Sequence, residues 1–282
     1  MSGIDIDSLR GWVGRERVMQ DELHPFPAQA LAAWLDRKRL PQRGDALPPS
    51  WQWLYFLDTP AASSTGIDGH PRLGDLLPPV PLPRRMWAAG SFEVEQPLCI
   101  GRVAEKTSTI KSIDLKEGKT GALVFVKLEH RITQDGVLCL REEQNLVFRD
   151  LPTGPAPLPP GEPAPLDADW VRVVTPDPVL LFRYSALTYN AHRIHYDRQY
   201  AVEKEFYPAL VVHGPLLASL ILELIAAQLP EAAITSFKFR AMRPSFDTHP
   251  FQVCGKRNGE QLNLWTADHQ GQLCMSATAT IA

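Results

Sequence analysis

The run Gly214-Pro-Leu-Leu-Ala-Ser-Leu-Ile-Leu-Glu-Leu-Ile-Ala-Ala-Gln-Leu-Pro230 decides how this chain is read. Leu216, Leu217, Leu220, Ile221, Leu224 and Ile225 recur at helical spacing, Pro215 suits a first helical turn, and Pro230 lies beyond the end. Serine and alanine fill much of the remaining face, so this helix is expected to be wrapped by a sheet. Four strand candidates follow: Ile234–Ala241, Phe251–Lys256, Gln261–Ala267 and Gln272–Ile281. Asn258-Gly259 and Gln270-Gly271 supply turn chemistry between them. Along the last, Leu273, Met275, Ala277, Ala279 and Ile281 share one face.

Working outward, the N-terminal part repeats this order. Helical candidates Ile6–Met19 and Pro27–Arg39 and the aromatic run Trp51-Gln-Trp-Leu-Tyr-Phe56 come first. Strand candidates Phe92–Ile100, Arg102–Ile113, Thr120–Thr133 and Val137–Arg149 follow, with turns at Glu117-Gly118 and Asp135-Gly136. Another strand is expected over Trp170–Thr175. The fold class is therefore α+β, with two antiparallel sheets each wrapped around a long helix. Prolines punctuate it: Pro78, Pro79, Pro81 and Pro83, then Pro152, Pro155, Pro157, Pro159, Pro160, Pro163 and Pro165. The denser cluster lacks backbone donors and reads as a stiff extended connector. The expected units are 1–151 and 166–282, joined by 152–165.

Composition narrows the function. The 282 residues carry 29 Lys and Arg against 32 Asp and Glu, a net charge of −3, which argues against a nucleic-acid binder working through bulk positive charge. Hydrophobic content of 44% suits a real core. Cys99, Cys139, Cys254 and Cys274 are too scattered for a CxxC motif and read as buried reduced thiols. Asp5, Asp7 and Arg10 interrupt any secretory signal, and the longest apolar stretch, Gly214–Leu222, falls short of the roughly 20 residues that span a bilayer. A cytoplasmic chain without membrane or nucleic-acid partners is expected, with a homodimer allowed. No Gly-rich phosphate loop, dinucleotide fingerprint or acyl-nucleophile motif occurs.

The chemistry concentrates just before the apolar helix, in Arg183-Tyr-Ser-Ala-Leu-Thr-Tyr-Asn190-Ala-His192-Arg-Ile-His195-Tyr-Asp197 and Tyr207-Pro-Ala-Leu-Val-Val-His213-Gly214-Pro215. This segment resembles the MaoC-like (R)-specific hydratases and dehydratases of the hot-dog fold. Their signature is a small residue, Gly-Asp, any residue, Asn-Pro, an aliphatic residue and His, with His-Gly further on. Thr188, Tyr189, Asn190, His192, Arg193, Ile194 and His195 stand in those places, and His213-Gly214 in the second motif. Asn190 replaces the family's catalytic aspartate, His192 its asparagine and Arg193 its proline. These departures resemble the subgroup of mesaconyl-C4-CoA and itaconyl-CoA hydratases and type 2 hydroxyacyl-thioester dehydratases. Leu82-Pro-Arg84-Arg85-Met-Trp87 and His24-Pro-Phe-Pro27 agree with that subgroup.

The resemblance implies a double hot-dog fold and reversible addition of water to an unsaturated acyl-CoA. It requires no cofactor beyond the CoA of the substrate. Such a reaction needs an activated water, a donor to the developing enolate oxygen and a proton for carbon. His195 is then the expected proton handler, with a pKa near 6.5 before any environmental shift, and Asn190 orients the water through its amide. His192 or Asp197 assists, and the Gly214 N–H at the start of the helix suits the thioester oxygen. His213 is either a substrate contact or a structural histidine. Arg240 and Arg243 are candidates for the CoA phosphates, and Arg84 or Arg85 for a carboxylate at the end of a short acyl group. A metal at His192 and His195, with Asp197 or His213 as a third ligand, is the less favoured reading. Asp197 as a helix cap or partner of Arg193, and packing roles for Tyr184, Tyr189 and Tyr196, complete the expectations. The substrate implied is itaconyl-CoA or mesaconyl-C4-CoA, giving citramalyl-CoA. The rivals are a dehydratase for longer 3-hydroxyacyl thioesters and a non-catalytic acyl-CoA-binding protein.

Overall fold

Gly11 and Gly14 stop the first helix early. In the computed structural model, which describes residues 3–118, 121–158 and 160–282, α1 spans only Ile6–Arg10 and the chain turns into β1 (Glu16–Glu22). The expected helix Ile6–Met19 is thus corrected: Gly14, at φ +85°, takes a backbone shape no helix interior accepts. Next, α2 (Pro25–Trp34) opens on a proline and ends before Asp36, itself at φ +57°. An irregular segment then leads to β2 (Arg84–Val94), which begins directly after the proline stretch rather than at Phe92. Residues 95–100 leave the sheet and return to the segment around Leu47, whose N–H donates to the Leu98 carbonyl at 2.7 Å. β3 (Val103–Gly118), β4 (Gly121–Gln134) and β5 (Val137–Arg149) complete this half, the Asp135-Gly136 turn lying at φ +49° and +77°. Thr120, where a strand was expected to start, and Pro159 of the connector lie outside the described residues.

The second half opens with β6 (Trp170–Val174) and a helix that periodicity did not suggest, α3 (Pro178–Leu187). Asp177 caps it, its Oδ1 accepting the Leu180 N–H at 2.7 Å, with Pro178 in the first turn. The short α4 (Arg198–Glu203) follows, then α5 (Gly214–Gln228), and then β7 (Ile234–Ala241), β8 (Phe251–Asn258), β9 (Gln261–Ala267) and β10 (Leu273–Ile281). Every residue of α5 from Leu216 to Ile225 is buried, so the helix is wrapped as its composition implied. Its one acid, Glu223, is met by both ends of the Arg37 guanidinium from beyond α2.

The strands run β1-β3-β4-β5-β2-β7-β10-β9-β8-β6, all pairs antiparallel. The two expected sheets are therefore halves of one ten-stranded sheet, joined where Ala89–Glu93 pair with Ser236–Arg240. Phe92 and Phe237 meet across that seam with ring centroids 5.4 Å apart, and a Cβ on Gly90 would come within 2.8 Å of the Phe239 ring. Among the described residues no helix is long and apolar enough to cross a membrane.

Candidate active site

Between α3 and α4 the backbone is folded tightly by its own polar side chains. Tyr189 adopts φ +49°, the Asn190 N–H donates to the Ser185 carbonyl at 2.8 Å, and Asn190 Oδ1 accepts the His192 N–H at 3.0 Å. Arg193 holds the Asp197 carboxylate through Nε (3.0 Å) and a terminal nitrogen (2.7 Å), while Asp197 Oδ1 caps α4 at the Tyr200 N–H (3.0 Å). These bonds turn His192 and His195 inward, where both are buried. Tyr184 packs as expected, but Tyr189 and Tyr196 are exposed.

His195 Nδ1 lies 2.7 Å from the Val211 carbonyl oxygen, so Nδ1 carries the hydrogen and Nε2 is left as an acceptor. Its ring stacks on His213 with centroids 3.7 Å apart. Burial, reinforced by His213 and His192, pushes the His195 pKa well below the ordinary 6.5, correcting the expectation of titration near that value. His213 is pushed down to about 3 by burial and by His192. Its Nε2 meets Ser185 Oγ at 2.8 Å, and it sits behind His195 rather than on the cavity wall. Of the two readings of His213, the geometry supports the structural one.

A cavity of about 1020 Å³ opens in front of this segment. Asn190, His192, His195 and Gly214 line it from the C-terminal half, and Trp53 and Trp87 from the N-terminal half. Gly214 opens α5, whose N-cap His213 makes no side-chain cap bond, so the first-turn N–H groups are not taken by a cap.

The N-terminal half also contributes a pair that the sequence reading missed. Residues 64–72 form a tight hairpin: Gly66 N–H bonds the His70 carbonyl (2.7 Å) and Arg72 N–H the Ser64 carbonyl (2.8 Å). Inside it, Asp68 Oδ2 lies 2.8 Å from His70 Nδ1, and the His70 ring faces His192 with centroids 4.1 Å apart. The hairpin is locked onto the motif segment, since the Arg193 N–H donates to the Asp68 carbonyl at 2.9 Å. Gly69, at φ +92°, touches the Ala191 backbone so closely that a Cβ would fall 1.8 Å from its carbonyl oxygen. Burial, together with Arg85, holds His70 down at about 3 against the opposing pull of Asp68. Burial works to raise the Asp68 pKa, but the hydrogen bonds and charge of His70 outweigh it and bring the group to about 2. The only signal available in the sequence was Asp68-Gly-His70-Pro itself, four turn-forming or polar residues with no helical or strand period.

The arginines separate by position. Arg84 is buried, paired through Nε with Glu205 at 2.9 Å and laid on the Tyr207 ring, so it is not free to meet a substrate. Arg85 lines the cavity, and among the described residues no carboxylate lies at ion-pair distance from it. Lys106 lines the same cavity over the Phe56 ring, 5.0 Å from its centroid. Arg240 is exposed and does not line the cavity. Arg243 does line it, beside Asp268 at 3.7 Å.

A metal would find donors not at His192 and His195 alone but at Asp68, His70 and His192, whose ligand atoms lie within 4.8 Å of one another. The facing atoms of Asp68 and His70 are bonded to each other.

These features define a class. A MaoC-like dehydratase of known structure superposes with a TM-score of 0.72 over 97% of this chain and 99% of its own, at 14% identity, which establishes the hot-dog α+β fold. In sequence the chain is 43% identical over 272 residues, 96% of each protein, to the mesaconyl-C(4)-CoA hydratase of Chloroflexus aurantiacus. It is 28% identical over 280 residues, 88% of this chain and 91% of its relative, to the mitochondrial hydroxyacyl-thioester dehydratase type 2 of Schizosaccharomyces pombe. Residues 50–247 match the model of the hydroxyacyl-thioester dehydratase type 2 family. The chain belongs to that family and is an enzyme of the hydro-lyase type.

Proposed function

We propose that this enzyme adds water reversibly to a short, unsaturated dicarboxylic acyl-CoA, itaconyl-CoA or mesaconyl-C4-CoA, giving citramalyl-CoA. For mesaconyl-C4-CoA, conjugated to its thioester, the thioester oxygen lies against the Gly214 N–H at the positive end of α5 and gains charge as the enolate forms, whereas itaconyl-CoA, with its double bond one position further out, takes its proton at the terminal methylene. Asn190 and the free Nε2 of His195 hold the attacking water. Arg243 meets the CoA phosphates at the cavity mouth. The halves 1–151 and 166–282 act as one unit, the first supplying the acyl pocket.

The observation that carries the dicarboxylic reading is Arg85, a cation on the cavity wall with no carboxylate at ion-pair distance among the described residues. A buried carboxylate on the substrate needs such a partner. Likeness to the mesaconyl-C(4)-CoA hydratase supports the same reading. A spectrophotometric panel of enoyl-CoAs that includes the five-carbon dicarboxylates tests it. Turnover of those substrates is expected. Replacing Arg85 with Met should raise their KM by about 10- to 10²-fold, as loss of a charged hydrogen bond implies, while uncharged enoyl-CoAs keep theirs. Equal KM values in Arg85→Met and the parent enzyme would sink the assignment.

The cavity volume of about 1020 Å³ favours a second reading, dehydration of longer 3-hydroxyacyl thioesters, and the same panel separates the two by chain length. Binding of acyl-CoA without turnover on any member would point instead to a non-catalytic binder.

A further inference from the structure

We propose that His70, oriented by Asp68, is the residue that takes the proton from water, so that the catalytic carboxylate–histidine pair is supplied by the N-terminal half. The inference rests on the hydration reading above and assigns the proton's destination within it. Asn190 stands where an aspartate would back a histidine, and an amide has no proton to exchange near neutral pH. A carboxylate–histidine pair is nevertheless present: His70 lines the same cavity, and Asp68 stands behind it, 2.8 Å away and off the cavity wall. With Asp68 ionised, Nδ1 of His70 donates to it and Nε2 is the acceptor.

Two neutral imidazoles therefore line one cavity, and the His192 ring touches both, at 4.1 Å from His70 and 5.4 Å from His195 between centroids. They differ in what stands behind them. His195 has only the Val211 carbonyl behind it and is stacked on a second imidazole, His213, at 3.7 Å. His70 has a full negative charge behind it, which offsets part of the burial and the Arg85 and His192 charges that oppose the imidazolium, an offset that His195 lacks. The proton goes to the better-supported ring, and His195 accepts a hydrogen bond from the other O–H.

The step balances without a further reactant. One O–H bond of water breaks and its proton passes to Nε2 of His70. In a substrate conjugated to its thioester, mesaconyl-C4-CoA, the oxygen bonds to the β-carbon, and the C=C pair moves to the α-carbon and thioester oxygen as an enolate. Nε2–H then returns the proton to the α-carbon, and His70 is neutral again. His70 is thus a catalytic residue and Asp68 a positioning residue. The Gly69 contact with Ala191 and the Arg193 bond to the Asp68 carbonyl are what hold this pair against the motif segment.

The test uses the full chain and whichever enoyl-CoA it hydrates. His70→Ala is expected to lower kcat by about 10² or more, the scale of general-base removal, with KM changed little and part of the rate restored by added imidazole. Asp68→Asn should lower kcat by about tenfold or more, again with KM changed little. In the unmodified protein with ¹⁵N-labelled histidine, a saturating, non-reacting saturated acyl-CoA should shift the His70 ring signals. Near-full kcat in His70→Ala, a loss that imidazole does not touch, or His70 signals unmoved at saturation would each overturn the assignment. A protein that neither hydrates nor binds any acyl-CoA would overturn the hydration reading itself, and with it this one.

Discussion

His213, His195 and His70 are all held neutral by their surroundings, and this fixes how the fold responds to acid. In the unfolded chain each would protonate near 6.5, whereas in the fold burial keeps His213 and His70 down at about 3 and His195 well below its ordinary value. As pH falls, the unfolded state takes up protons first. The stability from His213 and His70 is complete above about pH 6.5 and drains away as pH falls toward 3, at up to about 1.4 kcal/mol per pH unit for each, and His195 adds to the loss in the same direction. Against a total of about 5–15 kcal/mol, that is a steep acid limb. Thermal melts between pH 7.5 and 4.5 should show a falling midpoint, and His213→Gln should flatten the slope whatever it does to stability at pH 7.5. An unchanged slope in that variant would mean that His213 takes up its proton inside the fold. The same burial carries any acid limb of activity below the value an exposed histidine would give.

At the level of elements, the hairpin 64–72 depends on one residue. Gly69 combines φ +92° with a contact to Ala191 that admits no Cβ. Gly69→Ala must therefore lift the hairpin off the motif segment and take Asp68 and His70 with it. Loss of kcat by about 10² or more is expected, with the melting midpoint changed much less, because the hairpin is a surface loop outside the core strands. Activity and melting curves measured on the same preparation check this. The hairpin also marks the limit of what the sequence made legible. Long periodic elements could be read: α5, β5 and the strands after α5 stand almost where Leu216–Ile225, Val137–Arg149 and Ile234–Ile281 put them. The motif residues could be read because their spacing is local, and Asn190, His192, His195 and Gly214 do converge on one cavity. Pairings set by distant parts of the chain left no such trace. Asp68 meets the motif segment through a contact spanning more than a hundred residues, and Arg84 is claimed by Glu205. β1 was hidden because a short edge strand after two glycines has too few residues to show a period.

For the whole molecule, the seam between β2 and β7 sets the terms. The site draws on both halves and the sheet is continuous through Ala89–Glu93 and Ser236–Arg240, so neither half is complete alone. Residues 1–151 expressed separately would leave β2 as an open edge bearing Phe92, the situation that invites edge-to-edge association. That fragment is expected to run as soluble aggregate or inclusion bodies, while the full chain stays dispersed at the same expression level. Size-exclusion chromatography of the two tells them apart, and a monodisperse fragment would show that the seam is dispensable to the first half.

The seam also has a timetable. From the end of β2 at Val94 to the start of β7 at Ile234 a ribosome must add 140 residues, which at about 5–20 residues per second takes roughly 7–28 s. Throughout that interval the nascent first half carries an unfilled hydrogen-bonding edge with aromatic side chains beside it. Its partner strand does not yet exist, so no gain in native stability can shorten the exposure. Yield in the cell should accordingly follow translation speed and chaperone supply across this window more closely than it follows the melting temperature of the finished enzyme.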